Sequence, residues 1–346
     1  MLWVSADAGS SKYLLASNIC DQRTLGRVMK PFSTLLPACT GILFVPLVGL
    51  AGAFLFADRA TADTAMPAAK MNAYVGCINR LSERAYASRK RYFSWAAPSG
   101  PTGRERIIYG TYTIYGTSHC RNDVEKANAM DPHDAALEAA ATAYVAAVSK
   151  LEPLLKEADD YYTAENYKDD GMAKGQTLHP RLVAAWDAFA GTDQKLRDAV
   201  ETINDRSALQ KLAAIEQNEG RKAHYYVEAL MIKAKRVLRT EDTPAPDVAA
   251  ITQALNDYEE AIKGAEQASG ADGGAKLGSI FISNAKSYLV TGKQLMRRIR
   301  DHVPYSTGDK MMLGNAGSGW MVEGSPPRLV RDYNQLVDAY NRRPGI

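Results

Sequence analysis

The chain has 346 residues, 46% apolar and 23% charged, which is ordinary for a folded protein with an ample core. Lys and Arg number 42 against 39 Asp and Glu, a net charge of +3. No basic stripe concentrates the excess, so composition excludes a nucleic-acid binder and gives no strongly acidic or basic partner class.

The first feature in chain order is an uncharged run, residues 31–57, "PFSTLLPACTGILFVPLVGLAGAFLFA". Arg23, Arg27 and Lys30 precede it and the small-residue tract "DRATADTAMPAAK" follows. Basic end, apolar middle and small-residue exit are the three parts of a secretory signal. Residues 1–65 are therefore expected to be a signal-peptide region, with Met29 as a possible true start and removal after Ala65 or nearby. The alternative is an uncleaved anchor to the inner membrane through residues 31–57, a run long enough to span a bilayer. Both readings place the remainder in the periplasm or another extracytoplasmic space, because the positive charges lie on the amino side. Cys39 precedes most of the apolar run, whereas a lipidated cysteine follows it, so no lipid is expected there.

Residues 66–346 then form the expected domain. Two cysteines remain in it, Cys77 and Cys120, and in an oxidising compartment they are most simply a disulfide pair. Two buried free thiols are the alternative, and no second CxxC or histidine cluster suggests zinc.

Helical periodicity fills almost all of this domain. A first helix is expected over Lys70–Ala97, with Tyr74, Ile78, Leu81, Tyr86, Tyr92 and Trp95 on its apolar positions. "APSGPTG" breaks it. The next piece, "RERIIYGTYTIYGTSHCRNDVEKANAM", is rich in Ile, Tyr and Thr and suits a strand by propensity, yet a lone strand in a helical chain would have no sheet to join. We expect irregular chain that becomes helix near Cys120. Asp131-Pro132-His133-Asp134 reads as a helix start, with Asp131 as the cap and Pro132 at the first helical position.

Behind it, Leu137, Ala141, Tyr144, Val148, Leu151, Leu155, Ala158 and Tyr162 alternate steps of four and three, a packing seam over about seven turns. Pro153 should kink that helix. A second seam runs through Leu182, Trp186, Phe189, Leu196, Val200 and Ile203. Further helical patterns cover roughly 207–239, 246–268 and 276–302, and residues 304–327 read as a long Gly/Pro-rich loop. Leu329, Tyr333, Leu336, Val337 and Tyr340 mark a short C-terminal helix. The fold class is all-α, an elongated antiparallel helical bundle with that loop before its last helix.

The usual catalytic signatures, GxSxG, HExxH, GxxxxGK[ST] and strand-borne GxGxxG, do not occur. His224 and Glu228 share a helix face but lack a third ligand, and no cofactor or metal is expected. One stretch stands out. Residues 160–179, "DYYTAENYKDDGMAKGQTLH", crowd carboxylates, aromatics, lysines and a histidine between the two strongest seams. Gly171 and Gly175 argue against continuous helix, so the span reads as helix end, turn and new start, with Thr177 capping a helix led by Pro180. Two readings stay open. In one, Tyr167, Asp169, Asp170, Lys174 and His179 hold a rigid corner. In the other, Tyr167, Lys168, Asp169, Asp170, Lys174 and His179 form a polar site for a metal or small ligand.

The pattern Tyr161-Tyr162, Tyr167-Lys168-Asp169-Asp170, Lys174-Gly175 and Leu178-His179 resembles the YiiG-like proteins, a family of unknown function among bacterial exported proteins and lipoproteins. "KMNAYVGCINRLS" and "RDYNQLVDAYN" are similar to that family's first and last helices, so the resemblance spans about residues 70–341. It implies a helical exported domain and no particular reaction. The chain departs from the lipoprotein members by lacking a placed lipid-attachment cysteine. The expected function is a non-enzymatic envelope module that binds a protein partner or small ligand, touching membrane only through an uncleaved N-terminal segment. The alternative is a metal-handling protein or hydrolase using the Tyr-Lys-Asp-Asp turn.

Overall fold

The computed structural model describes residues 66–241, 246–271, 278–315 and 317–342; the uncharged run and the rest of residues 1–65 lie outside the described residues. Within them the chain is all-α, as the periodicity implies. The helices are α1 (Ala68–Phe93), α2 (Thr117–Asn128), α3 (Ala135–Thr163), α4 (Ala173–Glu219), α5 (Ala223–Glu241), α6 (Val248–Ala271), α7 (Ser279–Arg300), α8 (Thr307–Leu313) and α9 (Pro326–Asn341).

Two apolar cores form. The first lies among α1, α2, α3 and the front of α4. Every residue of the α3 seam, from Leu137 to Tyr162, is buried in it, and so is every residue of the α4 seam from Leu182 to Ile203. Steps of four and three keep side chains on one stripe of a helix, so each seam presents a continuous ridge to its neighbour. Pro153 sits inside α3, which continues through it to Thr163. The second core gathers α5, α6, α7 and α9, with Leu329, Tyr333, Leu336, Val337 and Tyr340 supplied by the last helix as expected. Its buried phenols are satisfied by helix carbonyls: Tyr258 donates to Ala285 O at 3.1 Å and Tyr288 to Ala234 O at 3.0 Å.

Five boundaries differ from the sequence expectation. Helix α1 ends at Phe93, so Trp95 and Ala97 lie beyond it. The cap of α3 is Asp134, whose carboxylate accepts from Leu137 N at 3.0 Å; Asp131 and Pro132 lie before the helix. The pattern over 207–239 is two helices, because Gly220 (φ 76°) ends α4 in a backbone region that favours glycine. The loop expected over 304–327 contains α8, started by a reciprocal capping box between Ser306 and Asp309. Finally, α4 starts at Ala173, so Pro180 is inside it and Thr177 does not cap; its hydroxyl donates to Ala173 O.

Cys77 on α1 and Cys120 on α2 are joined by a disulfide across 43 residues of sequence, both side chains fully covered by the first core. In the chain-entropy account a loop of this size is worth about 3–4 kcal/mol. Reduction should therefore lower stability by that order. Thiol labelling of denatured, unreduced protein should find no free sulfhydryl in residues 66–346, and two reactive thiols there would contradict the pairing.

The second core holds a buried carboxyl, Glu241, at the end of α5. Neither oxygen has a hydrogen-bond partner among the described residues, and burial pushes the group up to about 9. Between the ordinary carboxyl value of 4.5 and about 9, the folded protein keeps a proton that the unfolded chain releases. The contribution of this group to stability is thus full at acid pH and falls as pH rises through that window. Glu241→Gln should flatten the decline in urea unfolding measured across it; a parallel decline in the variant would contradict the assignment.

Candidate functional site

The corner between α3 and α4 is built from backbone outward. After Thr163 the chain makes a left-handed step at Glu165 (φ 55°), a short 3-10 turn over Asn166–Lys168, and another left-handed step at Met172 (φ 73°). Met172 is fully buried, which holds this uncommon conformation from the inside. Gly175 permits the closure: a Cβ there would stand 2.6 Å from Met172 Sδ and 3.0 Å from Tyr162 Oη. The glycine that suggested a helix break is a close-packing position within α4.

The six singled-out side chains do not converge on one cleft. Asp170 lies on the outside and serves the new helix: Oδ1 accepts from Tyr161 Oη at 2.8 Å and Met172 N at 2.9 Å, and Oδ2 from Lys174 N at 3.1 Å. Helix starts leave amides unpaired, and a carboxylate there is favoured by that end's partial positive charge. Desolvation pushes the Asp170 carboxyl up, but the bonds from Tyr161, Lys174 and Met172 outweigh it and hold it below the ordinary carboxylate value. Lys168 pairs with Glu165 at 2.5 Å, Tyr167 is half-buried above the same carboxylate, and Asp169 is exposed. Lys174 reaches back to Glu157 of α3 at 3.3 Å.

His179 faces inward instead. Its Nε2 lies 3.1 Å from Pro98 O, which can only accept, so Nε2 donates. In the neutral ring Nδ1 then accepts from Tyr92 Oη at 2.9 Å. The imidazole stacks on Tyr92, with Phe93 edge-on and Gly100 against its other side. Tyr92 in turn packs on Trp95, Tyr162 and Trp186, and burial pushes its hydroxyl up to about 12. Asp170 and His179 therefore have separate partners, one at the helix start and one in an aromatic cage. His224 and Glu228 also point apart: His224 meets Glu219, whereas Glu228 takes Lys211 and Tyr340. Among the described residues no group of three or more His, Cys, Asp or Glu is placed to hold a metal ion.

A polar center that the sequence pattern hides lies deeper. Asp193 occupies the α4 seam midway between Phe189 and Leu196, where the alternating steps call for an apolar residue. It is completely buried. Ser82 Oγ donates to Oδ1 at 2.6 Å, and Oδ2 accepts from Tyr86 Oη at 2.9 Å and Arg197 Nε at 3.0 Å. Tyr144 of α3 joins through Ser82 at 3.0 Å. The carboxylate thus ties α1, α3 and α4 at one level. Its signal was the gap in the seam, a position that fits the period and carries the wrong residue type.

The chain matches the family described as "Protein of unknown function (DUF3829)" over residues 66–342. It is also 39% identical over 276 residues to the "Uncharacterized protein YiiG" of Escherichia coli (strain K12), covering 79% of this chain and 78% of that protein. No solved structure matches.

Two substitutions separate the corner from the core. Asp193→Ala removes the acceptor shared by Arg197 Nε, Ser82 Oγ and Tyr86 Oη and should cost about 3–5 kcal/mol in denaturant unfolding; a loss near zero would contradict the role of this network. Asp170→Asn should lower the melting temperature at neutral pH. The difference should vanish as pH falls through the depressed Asp170 pKa, because that carboxylate stabilises only while ionised. Chelator should change neither melting curve, and a variant more stable than chelated wild type would contradict the capping role.

Proposed function

We propose that this chain, which belongs to the DUF3829 family of proteins of unknown function, acts outside the cytoplasm as a non-enzymatic helical module that binds a partner. The observation that carries the reading is the Cys77–Cys120 bond inside the first core. Structural disulfides persist in oxidising compartments and are rare where thiols are kept reduced. The uncharged run behind Arg23, Arg27 and Lys30 supports the same address.

Binding rather than catalysis is favoured by what the conspicuous side chains do. Asp170 is spent on helix amides and a phenol, Lys174 on Glu157, and His179 on Tyr92 and Pro98. A reacting site needs a nucleophile, acid or base that can turn towards substrate. Here each of these groups already has a protein partner, and each bond fixes an element of the bundle. The surface left over, apolar and basic before α2, suits recognition.

The test is fractionation of the producing cell followed by intact-mass measurement and thiol labelling. The reading expects an extracytoplasmic, fully oxidised domain whose mass excludes residues 31–57. A membrane-bound form retaining that run would establish the anchored alternative. A cytoplasmic protein with Cys77 and Cys120 reduced would overturn the proposal.

A further inference from the structure

The segment between α1 and α2 is a strap along α1, held there by side chains. Residues 101–115 make no backbone–backbone hydrogen bond among the described residues. Instead Trp95 Nε1 donates to Gly110 O at 2.9 Å, Arg91 Nε to Tyr109 O at 2.7 Å, Ser88 Oγ to Tyr112 O at 2.7 Å and Arg84 Nε to Thr113 O at 3.3 Å. Positions 84, 88, 91 and 95 step by four, three and four, the spacing of one helix stripe, so the strap runs antiparallel to α1 along it. With these carbonyls taken, recognition at this face falls to its side chains.

Those side chains are arginines interleaved with tyrosines. Arg84 and Arg91 both lie over the Tyr112 ring, 3.9 and 4.4 Å from its centroid, and Arg91 is also 5.7 Å from that of Tyr109. Each spends its Nε on a strap carbonyl. The Nη groups of Arg84 and Nη2 of Arg91 have no protein acceptor among the described residues, so fixed guanidinium donors are left for an anion. Arg104 and Arg106 are exposed at the start of the strap.

None of these four arginines is paired with a carboxylate among the described residues. Glu105, the carboxylate of the strap, is turned back on Thr102, and Asp123 is taken by Arg80 and His119. Glu83, next to Arg84 in sequence, is turned by about 100° around the helix. The same face carries large apolar groups: Ile107, Tyr109 and Tyr115 are exposed at 53%, 48% and 73%. Charge alone would suit any polyanion, and a second copy of the face would bring like charges together. Exposed tyrosines among arginines suit a bilayer surface, where the ring sits at the edge of the acyl layer, its hydroxyl stays among headgroups and the guanidinium meets lipid phosphate.

We propose that the strap, with the arginines of α1 beneath it, docks on an anionic lipid surface, with Ile107, Tyr109 and Tyr115 entering the headgroup layer and the four arginines on lipid phosphates. The proposal rests on the partner-binding reading above and names the partner as a membrane surface. It also departs from the expectation that membrane contact is made through the N-terminal segment alone.

The test is co-sedimentation of the protein, in the form purified from the producing cell, with two kinds of vesicle: phosphatidylcholine alone, and phosphatidylcholine mixed with phosphatidylglycerol. An anchor through residues 31–57 would hold the protein on both alike, so the increment on the anionic vesicles reports this face. Partition onto them should be greater by about 10-fold or more and should fall with salt. Arg104→Glu with Arg106→Glu should remove most of the increment. Ile107→Ser with Tyr115→Ser should reduce it by about 5-fold, and neither pair should change the melting temperature. Equal partition onto both vesicles would overturn the proposal, as would an unchanged increment in the arginine variant. An unchanged increment in the serine variant would leave ionic contact only and overturn docking into the headgroup layer. Polyglutamate at matched ionic strength should not displace the protein; displacement would assign the face to an acidic polypeptide and overturn the lipid partner. Failure here with an oxidised, extracytoplasmic protein leaves the export reading intact. A cytoplasmic, reduced protein that shows the anionic increment does the reverse.

Discussion

Helix α4 carries two kinds of face along its 47 residues, a length of roughly 70 Å at the usual helical rise. Its front half, Leu178 to Ile203, is an apolar ridge completing the first core. From Glu201 onward it also meets α5 through ions: Glu201 and Asp205 with Lys235 and Arg239, and Lys211 with Glu228. The continuity of this one helix therefore joins a core closed by packing to a core approached through charge. The structure on either side depends on it.

The two joints obey different physics. Removing the α4 seam from water stabilises each large side chain by about 1.5–3 kcal/mol, with little dependence on salt. The ion cluster is partly desolvated, and burial alone would lower the Lys235 pKa and raise that of Asp205, against the pull of their mutual attraction. Such pairs contribute little net stability, yet losing one partner strands the other. They set which faces meet more than how strongly. Asp193 plays the same part within the first core, where an apolar ridge alone would tolerate sliding between α1, α3 and α4. A single carboxylate with donors from α1 and α4 and a link through Ser82 to Tyr144 of α3 has one satisfied register.

Much of this was legible in sequence because the seams are long and regular. Leu137 to Tyr162 holds its spacing throughout and Leu182 to Ile203 breaks it only at Asp193, and the structure buries every member. Local rules failed where tertiary packing overrode them. Gly175 read as a break and Pro180 as the start of a helix, but the first is needed for contact with Met172 and Tyr162 and the second is carried within α4. The capping pair Ser306 and Asp309 was masked by the surrounding glycines and prolines. At the corner, sequence could place Asp170 and His179 near one another along the chain. It could not show that one faces the helix start and the other an aromatic cage. Asp193 escaped notice because seams are read by apolar residues, and a buried charge is visible only through its partners.

The strap over α1 shows the complementary case, in which propensity was right about the residues and context decided their use. Its Ile, Tyr and Thr content suits a strand, and the helix beneath supplies side-chain bonds where a neighbouring strand would supply backbone ones. Helix α4 is the joint of the molecule: the cores close separately and this helix couples them. Hydrogen exchange on Leu209→Pro tests it most directly, because Leu209 is an exposed residue of the rear half and proline there interrupts the helix without entering either core. The account predicts that protection is lost over about residues 204–219 and retained in α1–α3, in α4 up to Ile203, and in α5–α7 and α9. Loss of protection throughout either core would contradict it.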